Sequence, residues 1–327
     1  MPDIHEKTFV LDAIRSNRRR VFLAALLFFL IALIVVFLVT LLFSPEDMRW
    51  RVEMLIILAI STGVTLLAFP LLFYLGLRSS KDVFKRIFPP AILADIDMQK
   101  LVLAAEGVSL AAGLPVIGCR PVIMGGINCQ SVGSNPDNAE ILVSREAVER
   151  LDRGELEAMF AHEIYHILTG DIRLWALGTG ISGAILLSQS SQRRNWLMPD
   201  LYDDPTVMQF NYHPVYGTLL HIIGGALSII LLPLWFAYFL AVIPKSRDHL
   251  ADEHALLLTK SPEDVTRAIE MSDISRSRSS LWGGLFISHM LFNQPLDPPK
   301  GSARFFARSL NTHSPAIERA ERIRNMG

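Results

Sequence analysis

The sequence AHEIYH, residues 161–166, lies in a run from Glu155 to Thr169 that predicts a single helix. Gly170 marks its C-terminal end, because glycine readily adopts the left-handed conformation that caps a helix. His162 and His166 are four residues apart, so on a helix their imidazoles lie on one face, about one turn apart. Two imidazoles in that arrangement can share one metal ion.

Glu163 follows the first histidine directly and is placed to reach a water molecule at such a metal without ligating the ion itself. Zinc takes nitrogen or oxygen ligands in a tetrahedron, and catalytic zinc sites leave the fourth position to water. The carboxylate would take a proton from that water, which then attacks a carbonyl group polarised by the ion. The motif also occurs by chance on ordinary helices, so the prediction of a metal-dependent hydrolase depends on a third ligand and a compatible topology.

The composition predicts membrane segments joined to a folded domain. Hydrophobic residues make up 51% and charged residues 19% of the 327 residues, a more apolar balance than that of soluble proteins. The formal net charge of −1 argues against nucleic acid as the main partner. The two cysteines, Cys119 and Cys129, are too few for a disulfide framework and form no Cys-x-x-Cys metal motif.

Two membrane-spanning helices are predicted near the N-terminus. Val21 to Phe43 and Met54 to Leu77 carry no charged residue, and each is long enough to cross a hydrocarbon core of about 30 Å. The first is too long for the apolar part of a signal peptide and lacks a small-residue cleavage site. Arginines precede the first span and basic residues follow the second, so both of these ends are expected in the cytoplasm.

Two further spans are expected after the metal helix. Leu174 to Ser190 is a weaker apolar segment, residues 191–214 form a polar loop, and Val215 to Ile243 is too long for a soluble core helix. A single crossing would leave the rest of the chain on the other side of the membrane, so both segments are interpreted as crossings. Arginines in the polar loop do not favour its external location, but the charge rule is a bias that other segments override.

A small sheet is predicted between the second span and the metal helix. The pattern indicates a helix at Ala91–Ala112, followed by a hairpin of Val116–Met124 and Ile127–Val132 across two glycines. A third strand is indicated at Glu140–Val143 and a short helix at Ser144–Leu151. The hairpin edge at Asn128, Cys129 and Gln130 is the candidate substrate-binding strand, because an exposed strand edge binds an extended peptide through its backbone. The alternative is that the hairpin is only core scaffold.

Asp248 and Asp252 follow the last predicted span and share one face if residues 244–255 form a helix. Asp248 can complete the metal site, whereas Asp252 can accept a hydrogen bond from a ligand imidazole and so fix its tautomer. His249 and Glu253 are rival ligands. With two crossings between them, this helix and the metal helix lie on the same cytoplasmic side.

Several short motifs accompany the histidine motif: NAEILV at 138–143, LEA at 156–158, GD at 170–171, SR at 246–247, ADEHA at 251–255, THSP at 312–315 and RI at 322–323. Together they make a chain that resembles the HtpX-type membrane zinc metalloproteases, a family that also includes the CaaX prenyl proteases. The register of the resemblance favours Asp248 over its rivals. That family normally has glutamate there, so the shorter aspartate has to approach the metal more closely or bind it differently.

By the same resemblance, His313 belongs to the surroundings of the active site. There it would stabilise a developing oxyanion or orient a ligand. Taken alone, a histidine just before a helix is more often structural than functional.

The resemblance implies a mainly α-helical fold, with about four transmembrane helices and a cytosolic zincin-type, gluzincin-like metalloprotease domain that contains a small β-sheet. The tail and first two spans occupy residues 1–90, the first part of the protease domain 91–173, the further spans 174–243 and its second part 244–327. One Zn²⁺ per chain, membrane-bound or misfolded protein substrates and a multi-pass location in the cell (inner) membrane are expected. The alternatives are an inactive relative acting as a scaffold or regulator, motivated by Asp248, and a CaaX-type processing protease.

Overall fold

The computed structural model describes residues 88–176, Phe292, 246–275 and 313–326, together with residues 14–20 and scattered positions between 22 and 85. Within the continuous stretches, the helices are α1 (Asp95–Ala111), α2 (Arg145–Arg150), α3 (Arg153–Thr169), α4 (Ser246–Thr259), α5 (Pro262–Ile274) and α6 (Ala316–Arg324). The strands are β1 (Gly118–Val122), β2 (Cys129–Val132) and β3 (Glu140–Ser144). The predicted mainly helical fold with a small sheet is confirmed.

The sheet has the strand order β1-β3-β2, so the predicted hairpin between Val116–Met124 and Ile127–Val132 is wrong. β1 runs parallel to β3, and β2 runs antiparallel to β3. The apolar residues of β3 are buried on both faces of the sheet, which suits a central strand. β1 contains Pro121, which has no N–H to donate and is tolerated at an edge. The Gly125-Gly126 pair therefore lies in a longer connection, not in a hairpin turn.

Helix α1 begins at Asp95, four residues later than predicted. The preceding residues pair with β1 instead, because the Ala91 N–H donates to the Pro121 carbonyl and Pro90 bridges to Val122. The predicted stop at Gly113 is confirmed, since this glycine has the positive φ of 68° that ends a helix. The helix predicted from Ser144 is also confirmed as α2, whose first turn is capped by the Ser144 hydroxyl.

Helix α3 is the central element of the fold, and its prediction from Glu155 to Thr169 is confirmed with a start at Arg153. The Asp152 side chain accepts from the Glu155 N–H, and the Glu155 side chain accepts from the Asp152 N–H, which forms a reciprocal capping box. Gly170 closes the other end with φ 76°. The helix packs against α1, α4, α5 and β2, so nearly all of its residues are buried.

The membrane-spanning predictions fall largely outside these residues. Within the described part of the chain, no helix combines the length and apolar character needed to cross a bilayer. The predicted span Val215–Ile243 lies outside the described residues, and so does Leu174–Ser190 except for its first three residues. Individual positions are described in Val21–Phe43 and Met54–Leu77, and those positions are helical.

Candidate metal centre

Three predicted ligands lie together at the contact between α3 and α4. The ligand atoms of His162, His166 and Asp248 are all within 4.8 Å of one another. All three residues are buried, with exposed fractions of 2%, 2% and 6%. The two histidines face the same way because they are one turn apart on α3, and Asp248 reaches them from the first turn of α4.

Each histidine is held by a carboxylate through its Nδ1 atom. His162 Nδ1 lies 2.8 Å from Asp252 Oδ1, and His166 Nδ1 lies 2.8 Å from Asp171 Oδ2. A carboxylate only accepts hydrogen bonds, so both Nδ1 atoms donate and both Nε2 atoms carry a lone pair in the neutral rings. Burial lowers the pKa of His162, although the bond to Asp252 opposes this shift, so the ring is neutral at pH 7.

The two Nε2 atoms are only 3.2 Å apart. Two lone pairs facing each other at that distance repel unless a cation or a proton lies between them. Two nitrogens bound to one tetrahedral zinc ion, each about 2.0–2.1 Å from it, are separated by about 3.3 Å. Two imidazoles and one carboxylate are also the donor types of zinc sites that keep an open position. These residues therefore fit a zinc ion.

Asp248 is fixed by His313, whose Nδ1 lies 2.8 Å from Asp248 Oδ2. Burial alone would raise the pKa of Asp248, but the charge and hydrogen bond of His313, together with Arg319, hold it well below its usual range. The carboxylate is therefore ionised, as a ligand has to be. Of the two roles expected for His313, this geometry matches the orientation of a ligand.

The rival ligands His249 and Glu253 face helix α6 instead. His249 Nε2 lies 2.9 Å from the Ser314 hydroxyl oxygen, and Glu253 accepts from Arg322 Nε at 3.0 Å. The candidate metal-binding group found among the described residues includes neither of them.

Glu163 is held in position by strand β2. Its Oε2 atom accepts from both the backbone N–H and the hydroxyl of Ser131, each at 2.7 Å. Its Oε1 atom lies 3.6 Å from Cys129 Sγ. Burial, together with the nearby Glu163, raises the pKa of the Cys129 thiol, so the thiol stays protonated and can donate. Among the described residues, one oxygen of this carboxylate thus accepts two hydrogen bonds, whereas the other accepts from a weak thiol donor alone.

The residues of the predicted peptide-binding edge, Asn128, Cys129 and Gln130, are buried as whole residues, with exposed fractions of 3%, 0% and 0%. Strand β2 lies at one edge of the three-stranded sheet, but the exposure that the prediction assumed is not found at these residues. Three of its backbone groups have partners outside the sheet: the Cys129 carbonyl accepts from the Phe292 N–H at 2.9 Å, the Cys129 N–H donates to Asn128 Oδ1 at 3.1 Å, and the Ser131 N–H donates to Glu163 Oε2 at 2.7 Å. The Phe292 ring also lies beside the His162 ring, with 4.8 Å between centroids.

Several partners of the site were not predicted as site residues. Asp171 had a usable signal, because it follows the cap of α3 only five positions after His166. Ser131 had no such signal in the sequence beyond its place in a predicted strand. Arg319 lies in the charged stretch ERAERIR, a pattern typical of a solvated helix, yet it is fully buried. Asn17 lies in a polar N-terminal stretch that carries no motif.

Arg319 neutralises the carboxylate that orients His162. Its Nε and Nη2 atoms donate to the two oxygens of Asp252, each at 2.7 Å, and its Nη1 donates to the Phe292 carbonyl at 2.8 Å. Its guanidinium also lies over the Phe292 ring, 5.0 Å from the centroid. Burial would raise the pKa of Asp252, but Arg319 lowers it to about 2. The Asp252 carboxylate is therefore charged at neutral pH.

We expect Arg319→Met to lower the free energy of unfolding by about 3–5 kcal/mol, because it leaves the Asp252 carboxylate buried without its cation. Arg322→Met is the matched control on the same helix. The Arg322 side chain is 47% exposed where it pairs with Glu253, and such pairs contribute at most about 1 kcal/mol. Denaturant unfolding of the purified full chain measures both variants, and equal losses would contradict the role given to the buried pair.

Comparison with known proteins places this site in a family. The model of peptidase family M48 matches residues 126–327, which contain all three candidate ligands. The protease HtpX homologs of Streptococcus pneumoniae serotype 19F (strain G54) and strain Hungary19A-6 are each 26% identical to the chain, over 319 and 320 residues, covering 96% of it and 99% of the relative. No solved structure matches the chain. The chain belongs to peptidase family M48 and is a metalloprotease of the HtpX type.

Proposed function

We propose that this protein is a zinc-dependent membrane endopeptidase in which His162, His166 and Asp248 hold one Zn²⁺. The observation that carries the proposal is the 3.2 Å distance between the two Nε2 atoms. In each ring the Nδ1–H donates a hydrogen bond to a buried carboxylate. Neutral imidazoles and an ionised aspartate are the protonation states that bind a metal. A metal site is thus preformed by the fold.

Glu163 is the proposed general base. When bound, the zinc ion polarises the peptide carbonyl and makes the attacking water more acidic. Glu163 Oε1, whose partner among the described residues is the Cys129 thiol, takes a proton from that water as the water oxygen bonds to the carbonyl carbon. The carboxyl then returns the proton to the departing amine as the C–N bond breaks. Ser131 keeps Oε2 fixed and so aims Oε1.

His313 and Asp252 are proposed as orienting residues that do not bind the metal. The His313 bond to Asp248 fixes the carboxylate of a side chain one methylene shorter than the glutamate normal in the family. Asp252 fixes the tautomer of His162. Both bonds use buried groups, so water does not compete for them.

An extended substrate is proposed to pair with the edge of β2 at Asn128, Cys129 and Gln130. Edge strands present backbone donors and acceptors that bind peptides of many sequences. The proposal is supported by the contact between this strand and the proposed general base, because Ser131 of β2 binds Glu163. A peptide that pairs with Cys129 has to displace two bonds, that of the Cys129 carbonyl to the Phe292 N–H and that of the Cys129 N–H to Asn128 Oδ1.

The protease is proposed to be a multi-pass protein of the cell (inner) membrane, acting on membrane or misfolded proteins. Its proposed parts are the tail and two spans at 1–90, protease segments at 91–173 and 244–327, and two spans between them. Large apolar side chains at described positions of the first two segments are exposed, among them Phe22, Leu23 and Leu67. Lipid would cover such surfaces.

A catalytically silent scaffold is the competing function, favoured by the aspartate at position 248. The placement of Glu163 against Ser131 and Cys129 supports the enzyme instead, because a scaffold has no need for a buried carboxylate beside a metal site. The two functions differ in one measurable property, hydrolysis that depends on Glu163.

Glu163→Gln should keep the zinc content of the protein but lower casein hydrolysis by about 10²–10⁴-fold, because an amide cannot accept the proton of the attacking water. Glu157→Gln is the matched control, since Glu157 lies on the same helix and pairs with Arg153 outside the site. Zinc analysis and hydrolysis rates of the purified proteins provide the test. Undiminished turnover in Glu163→Gln would rule out this mechanism. If the protein without substitution binds zinc but shows no hydrolysis that depends on Glu163, the scaffold function is favoured instead.

The proposed topology predicts that reporter fusions after Arg86, near Asp204 and after Gly327 lie inside, outside and inside the cytoplasm. The reason is that basic residues flank the first two spans and that both ligand helices have to lie on one side. Alkaline phosphatase and fluorescent-protein fusions report the two sides. A cytoplasmic signal at Asp204 with an external signal at Gly327 would contradict the four-span arrangement.

A further inference from the structure

The N-terminal helical segment, residues 14–20, contributes a buried amide beside the candidate metal centre. Asn17 is 6% exposed. Its Nδ2 atom donates to the Thr169 carbonyl at 2.9 Å and also to Asp171 Oδ1. Its Oδ1 atom accepts from Arg247 Nη2 at 2.7 Å. One side chain therefore joins the N-terminal segment to the C-terminal end of α3 and to the first turn of α4.

These contacts converge on the carboxylate that holds a ligand. Asp171 is 1% exposed. Its Oδ1 atom receives Asn17 and pairs with Arg247 Nη1 at 3.1 Å, while its Oδ2 atom lies 2.8 Å from His166 Nδ1. The first pair of contacts fixes the plane of the carboxylate, and that plane sets the direction in which Oδ2 meets the imidazole. Asn17 thus acts on His166 through one intermediate group.

We propose that Asn17 is a positioning residue of the metal centre, so that the segment preceding the first predicted span is part of the active site. The proposal rests on the assignment of His166 as a metal ligand under the proposed function. Among the described residues, Asn17 bonds to Thr169, Asp171 and Arg247, and its connection to His166 runs through Asp171. The site then requires a residue 145 positions before the first histidine, as counted between Asn17 and His162.

The chemistry of the amide explains why asparagine suits this position. An amide both donates and accepts, so Asn17 donates to Asp171 and Thr169 while accepting from Arg247. An aspartate of the same size keeps the acceptor for Arg247 but has no donor and places a second negative charge beside Asp171. An alanine removes all three bonds and leaves Asp171 with fewer donors in a buried environment.

The test measures zinc affinity of the full-length protein in detergent by competition with a chelator. We expect Asn17→Ala to weaken zinc binding by about 10-fold, the lower end of the range for groups that orient ligands. Asn17→Asp should weaken it at least as much because of the repulsion from Asp171. Ser16→Ala, one residue earlier in the same segment, is the control and should bind zinc as the unchanged protein does.

A second readout follows the geometry of the site directly. In the cobalt-substituted protein, the visible absorption bands of Co²⁺ depend on the arrangement of its ligands, and we expect them to change in both Asn17 variants but not in Ser16→Ala. Unchanged affinity and spectrum in both Asn17 variants would overturn the proposal, as would an equal loss in Ser16→Ala. If Asn17→Ala does not fold, Asn17→Asp decides the question. Failure of the unchanged protein to bind zinc would instead overturn the proposed function.

Discussion

The candidate metal centre depends on holding two imidazole nitrogens, His162 Nε2 and His166 Nε2, 3.2 Å apart in a buried site. Neutral rings repel at this distance, so the surrounding residues have to fix both rings and leave a cation as the favourable occupant. Asp252 and Asp171 do this by binding the opposite nitrogens. Each carboxylate is itself buried and needs a cation, which Arg319 and Arg247 supply. In the candidate metal centre, carboxylates thus hold the imidazoles, and arginines in turn neutralise the carboxylates.

The need for imidazoles, carboxylates and arginines in one place explains why the site uses residues from so many parts of the chain. Helix α3 supplies both histidines and the proposed general base Glu163, α4 supplies Asp248 and Asp252, and α6 supplies Arg319. Strand β2 fixes Glu163, so the same edge that is proposed to bind substrate also aims the base. This arrangement couples folding to catalysis, because the ligands take their positions only when α4 and α6 pack on α3.

Local patterns predicted the parts of this structure that depend on local physics. The metal helix followed from histidine spacing and its glycine cap, whereas the choice of Asp248 over its rivals was implied by the family resemblance. The strand order was not predictable from two glycines between apolar runs, because the competition for the central position is settled by burial of β3 on both faces. The burial of Arg319 was not predictable for a similar reason. The sequence of a charged helix is typical of an exposed helix, and only the pairing with the buried Asp252 carboxylate distinguishes this arginine from its neighbours.

The central claim is that His162, His166 and Asp248 hold one zinc ion. Zinc K-edge X-ray absorption of the purified full-length protein tests it most directly, because the spectrum separates imidazole, oxygen and sulfur ligands. We expect two imidazole nitrogens and otherwise oxygen ligands at about 2.0–2.2 Å, with one zinc per chain by metal analysis of the same sample. A sulfur ligand at about 2.3 Å, which would implicate a cysteine, or a third imidazole in place of the carboxylate would contradict it.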